Sequence, residues 1–144
     1  MWIVFALLAS ILWGLTYVIQ EYLFRHIAVT TYLTLISFFT TIFVGIAGIK
    51  QKSLFSNLKT ISLSKELLAW VFLAITVYIG AELCIAFSIQ NKNATLAGLI
   101  EISYPLFIAF FALLLFKQDH FTLSTAIGGF LIVSGVAIIS LAHR

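Results

Sequence analysis

The sequence predicts an all-α membrane protein, a bundle of five transmembrane helices, and three observations carry that prediction. The 144 residues are 62% hydrophobic and only 9% charged, more apolar surface than a soluble domain of that size can hide. Five apolar runs, near 3–23, 31–49, 67–90, 94–116 and 124–142, approach the ~20 residues needed to cross hydrocarbon. The connections between them are short apart from 50–66. In lipid each run must be a helix, because unpaired backbone groups are not tolerated there. The expected organisation is therefore a single transmembrane domain over 1–144 with no soluble module.

The same numbers exclude several functions. The first run has full spanning length and lacks a basic leading region and a cleavage site, so it is expected to be a span and not a removable signal. One cysteine, Cys84, rules out an internal disulfide and a multi-cysteine metal site. No metal or other cofactor is expected. The net charge of +3 reads through membrane topology and not as a nucleic-acid signal, so the partner expected on this ground is the lipid bilayer. No serine–histidine, cysteine–histidine or phosphate-loop constellation occurs, and an enzyme is not expected.

In the first span Trp13, Tyr17, Gln20 and Phe24 recur at helical spacing on one face, with Glu21 beside them. Glu21 reads as an interfacial acid at a helix end, paired with Arg25 four residues on. The Gln20 amide needs partners at its depth. The second span carries Ser37, Thr41 and Gly45 four residues apart, a stripe of small side chains that reads as a packing face. Thr30 or Thr31 is the expected N-cap there.

Residues 50–66 hold Lys50, Lys52, Lys59 and Lys65 against one acid, Glu66, while Leu54, Phe55, Leu58 and Ile61 recur at helical spacing. That pattern is a short basic amphipathic helix on an anionic membrane surface. Ser64 is placed to cap the third span.

The third span has two faces. Thr76, Gly80, Cys84 and Ser88 make a small-residue packing face, whereas Tyr78 and Glu82 point away from it. Asn93 caps the fourth span, in which Glu101 is followed by Pro105, the only proline. Proline removes one backbone hydrogen bond and crowds the carbonyl four residues back, so the helix is expected to bend near it. His120, in the polar turn 117–123, reads as solvated. The fifth span brings Ser124, Gly128, Gly129 and Gly135 as small residues for packing, with Ser124 to Gly128 a small-xxx-small step.

Lys50, Lys52, Lys59, Lys65 and Lys117 fall on the N-terminal side of the membrane, and Arg25, Lys92 and Arg144 on the other. That bias favours a cytoplasmic N-terminus. Glu82, about 12 Å before the end of its span, and Glu101, about 11 Å after the start of the next, come to similar depth. A shared cavity of carboxyls suits the binding and release of protons. The plainer reading of either acid is a protonated carboxyl that bonds a neighbouring helix, worth about 1 kcal/mol.

Trp13-Gly14, Glu101 with Tyr104-Pro105, the Leu-Leu-Leu-Phe-Lys-Gln-Asp stretch 113–119, Thr122 and the glycine-bearing fifth span resemble the EamA-type repeat of the drug/metabolite transporter superfamily. The resemblance covers almost the whole chain. It implies one inverted-repeat unit of a ten-helix transporter, acting as an antiparallel homodimer or with a related half in the inner or cell membrane of a bacterium or archaeon. It also implies transport of a small metabolite, with Glu101, Glu82, Tyr104, Tyr78, Trp13, Tyr17 and Gln20 as candidates for substrate or proton binding. The sequence departs from the pattern at Ser37, where an arginine is often found, and at Asp119, where glutamate is usual. The small multidrug resistance family differs in its four-span pattern and first-helix glutamate. Two alternatives stay open: a non-transporting membrane subunit that regulates or stabilises a partner, and a lipid-carrier flippase component.

Overall fold

The computed structural model describes residues 1–118 and 122–142. Asp119 and His120 of the fourth connection, and Arg144 of the topology argument, lie outside the described residues. Among the described residues seven helices follow in order: α1 (Trp2–Leu23), α2 (Val29–Lys50), α3 (Leu54–Leu63), α4 (Lys65–Asn91), α5 (Ala94–Glu101), α6 (Tyr104–Phe116) and α7 (Leu123–Ala142). Among the described residues there is no strand. Five stretches among the described residues are long and apolar enough to cross a membrane: α1, α2, α4, the α5–α6 pair as one span of 23 residues, and α7.

Local chemistry sets several of these limits. Ser64 accepts from the Leu67 N–H at 3.3 Å at the start of α4, and Asn93 accepts from the Leu96 N–H at 2.8 Å at the start of α5. At the start of α2 neither Thr30 nor Thr31 is the cap; the N-cap is Ala28, with no side-chain bond. Burial of Val29 and Tyr32 in the core decides that start, and packing there outweighs the bond a threonine cap would add. Residues 54–63 form the short amphipathic helix α3, with Phe55, Leu58 and Leu63 exposed and Leu54 against Gly48.

Pro105 does more than bend its span. The helix ends at Glu101 and restarts at Tyr104, so Pro105 stands in the first turn of α6, where a missing N–H costs nothing. The disruption falls before the proline because its ring crowds the carbonyl four residues back, that of Glu101. Ser103 bridges the gap, its N–H and Oγ both donating to the Ile100 carbonyl at 3.2 and 2.9 Å.

Helix α5 is the hub, packed against α1, α4 and α7. The core lies where the α1–α2 and α4–α5 turns meet, and consists of Tyr17, Phe24, Val29, Tyr32, Ala86, Ile89, Ala94 and Ala97. Its alanines let helix backbones approach closely. Gly98 serves the same end, since a Cβ there would lie 3.3 Å from Cδ2 of Tyr17. Most other large apolar side chains are exposed, as they must be where the solvent is lipid.

Candidate functional site

A cleft of about 610 Å³ opens between α1, α2 and α4. Its polar wall is made by Thr16, Gln20, Tyr32, Thr40, Tyr78 and Glu82, and Trp13 with several aliphatic side chains completes it. Helical rise places these groups along the membrane normal. Ala94, the first residue of α5, donates its N–H to Glu21 Oε2 at 2.8 Å, which holds the ends of α1 and α4 at one level. Counted along each helix from its last residue, Leu23 of α1 and Asn91 of α4, Gln20 lies roughly 5 Å in, Glu82 roughly 14 Å and Trp13 roughly 15 Å.

The amphipathic spacing in α1 and the Tyr78–Glu82 step in α4 bring these residues to one cleft. Glu82 and Tyr78, one turn apart on α4, face Trp13 of α1 across it. Glu101 and Tyr104 are not among its wall residues. Instead Tyr17 Oη donates to Glu101 Oε2, joining α1 to α5 directly behind the cleft. The two acids remain within electrostatic reach of one another, and Tyr17 is within reach of both acids and of Tyr104. Tyr104, 55% exposed, lines a separate aromatic groove with Phe107, Phe111 and Phe116. The expected interior cluster is thus split into a cleft face holding Glu82 and a helix–helix face holding Glu101.

Gln20 is 2% exposed. Its Nε2 donates to the Tyr32 hydroxyl at 3.4 Å, and its Oε1 has no hydrogen-bond partner. Tyr32, whose ring meets Phe24 edge-on at 5.5 Å, is a site residue that sequence reasoning missed. A tyrosine near the start of a span reads as an interfacial aromatic, and nothing local reveals that it turns inward. The capping of α5 by Glu21 was also missed, because it links residues 73 positions apart. Glu21 keeps its expected pairing with Arg25 at 3.0 Å.

Most of the expected packing glycines sit on open faces. A Cβ at Gly45, Gly80, Gly128 or Gly135 would meet nothing within 4 Å, and Ser37 and Thr41 are exposed. Close approach falls on Gly98 and on Gly129, where a Cβ would collide with Cδ2 of Leu106. Among the described residues no group of His, Cys, Asp and Glu could hold a metal.

Five apolar spans, three of which enclose a partly polar cleft, define the class as a polytopic helical membrane protein. The comparison of families gives the particular one: the chain belongs to the EamA-like transporter family, whose model matches residues 1–141. Comparison with curated proteins and with solved structures returned no match.

Proposed function

We propose that this chain is half of a proton-coupled transporter for a small metabolite, completed by an inverted second copy or by a related half. The observation that carries the reading is the position of Glu82. It is an ionisable side chain roughly 14 Å inside a span and open to a cleft of small-molecule size. Such a residue costs about 2.5–3.5 kcal/mol to insert, and one facing a cavity marks a substrate or proton path. The Tyr17–Glu101 bond behind the cleft gives protonation of either acid a mechanical consequence, because it ties the wall helix α1 to the hub helix α5. An inverted partner supplies the other half of an alternating-access path, and the open glycine faces of α2, α4 and α7 offer surfaces on which it can pack. The N-terminus is assigned to the cytoplasmic side of a bacterial or archaeal inner membrane by the lysine bias.

Purified protein in liposomes, supplied with a metabolite panel and a pH gradient, tests this. Wild type is expected to accumulate at least one metabolite against its gradient. Glu82→Gln should fold and lose the response to the pH gradient, and Glu101→Gln should keep helix content and lose coupled transport. Gradient-driven transport retained in Glu82→Gln removes that residue from the proton path. No transport of any metabolite by wild type favours a structural subunit instead.

A further inference from the structure

We infer that the groove between α4, α5 and α7 holds the phosphate of a phospholipid, with Lys92 as its counter-ion. This groove, of about 280 Å³, shares no wall residue with the cleft between α1, α2 and α4. Helix length sets its level in the membrane. With 27 residues, α4 runs roughly 40 Å and outreaches the ~30 Å of hydrocarbon. Lys92, which follows its last residue, therefore stands at the height of lipid phosphates.

Lys92 is a cation without a counter-ion in the chain. The acid at this end of the bundle, Glu21, is already committed: Oε1 accepts from Arg25 at 3.0 Å and Oε2 from the Ala94 N–H at 2.8 Å. Among the described residues Lys92 makes no ion pair, and no aspartate or glutamate lines the groove. A lysine in that position attracts anionic headgroups. Two hydroxyls make the place more than a surface charge. Ser88 lies one helical turn inward from Lys92, and α7 contributes Ser140. Ser10, Thr16, Thr41, Thr76 and Ser134 each donate to the carbonyl one turn back. Ser88 and Ser140 have no side-chain hydrogen bond among the described residues, so both can donate to a phosphate oxygen.

The rest of the groove is apolar, lined by Leu96, Ile100 and Ile139. Ile100 lies roughly 9 Å along α5 from Ala94, in the direction an acyl chain takes toward the bilayer centre. A soluble phosphate has no use for that wall, whereas a lipid covers it. A headgroup held by α4 and α7 together would also fasten α7, which packs on α5, to a second helix.

Native mass spectrometry of the full chain released from micelles tests this with phosphatidylglycerol, diacylglycerol of the same chains, and sn-glycerol 3-phosphate. Wild type is expected to retain phosphatidylglycerol about tenfold more tightly than diacylglycerol, which has no phosphate. Glycerol phosphate is expected not to displace it. Lys92→Gln should weaken phosphatidylglycerol about tenfold, and Ser88→Ala combined with Ser140→Ala about fivefold, with diacylglycerol unchanged in both. Lys92→Arg should retain the lipid, which separates loss of charge from loss of folding. Lys59→Gln, on α3 and outside the groove, should bind as wild type does. In thermal melts phosphatidylglycerol should raise the Tm of wild type and not that of Lys92→Gln. Equal retention of diacylglycerol would reduce the groove to an acyl-chain contact, and displacement by glycerol phosphate would make it a soluble-anion site. Unchanged binding in Lys92→Gln would remove the counter-ion, and an equal loss in Lys59→Gln would show unspecific surface charge. Each of these four results overturns the inference.

Discussion

The contact between Tyr17 and Glu101 can be tested more sharply than any other part of the site. Tyr17→Phe removes one hydroxyl and leaves a ring of the same shape against Gly98, so the packing of α1 on α5 is preserved. What is lost is one interhelical hydrogen bond in a membrane. Such bonds average about 0.6 kcal/mol and reach about 1.7, and a bond to a charged acceptor is worth about 1.5–3. Glu101 is only partly buried, so part of that loss is recovered when water reaches the freed carboxyl, and about 1–2 kcal/mol is the expected cost of Tyr17→Phe.

Glu101→Leu removes the same bond from the other side, and the double variant should cost less than the two singles together by about 1 kcal/mol or more. Glu101→Gln should behave more mildly, because its amide oxygen still accepts from the hydroxyl. Reversible unfolding in mixed micelles supplies all four corners of the cycle. Additivity to within about 0.3–0.5 kcal/mol, the usual behaviour of independent sites, would show that the two side chains do not meet and would remove the tie between α1 and α5.

Three further outcomes are expected. Gly129→Val should destabilise by about 1–3 kcal/mol, the usual cost of overpacking, because Leu106 Cδ2 occupies the space its Cβ needs; Leu106→Ala in the same chain should recover most of the loss, and failure to do so in thermal melts would refute the contact. Glu21→Ala should lower Tm more than Arg25→Ala does, since Glu21 also accepts from the Ala94 N–H whereas Arg25 is seen only on Glu21; equal effects would reduce Glu21 to its surface ion pair. Cysteines placed at 57 and 92 in a Cys84-free background should label from opposite sides of the membrane, and labelling from both sides at each position would indicate dual insertion and favour a homodimer.

Local chemistry was legible in the sequence wherever one residue acts within its own helix turn. The caps Ser64 and Asn93 bond three residues on, and the amphipathic run 54–63 forms a helix because its period needs no distant partner. The Tyr78–Glu82 face was legible for the same reason. Misreadings arose where a second element decides the outcome. Val29 starts α2 ahead of its threonines because it is buried among residues of the core. Glu101 was expected beside Glu82 because the two depths match, yet its carboxyl turns to Tyr17, a residue 84 positions away. Depth along a helix can be counted from sequence, but azimuth toward a particular neighbour depends on how helices pack.

That difference in azimuth gives two acids of nearly equal depth different surroundings. Glu82 opens to a cleft that water or a small molecule can enter, so a proton or a cation can come and go without first breaking contact between helices. Glu101 has one oxygen occupied by Tyr17, and exchange there has to disturb the joint between α1 and α5. The break just after Glu101 makes such a disturbance cheaper. The i→i−4 pattern already gives way at Ser103, whose N–H bonds the Ile100 carbonyl three residues back, and Pro105 has no N–H to return to the Glu101 carbonyl. A shift of α5 that follows release of Tyr17 therefore need not carry α6 with it as one rigid rod. The hub helix α5, which touches α1, α4 and α7, thus carries an acid whose hydrogen-bond partner lies on the wall helix α1.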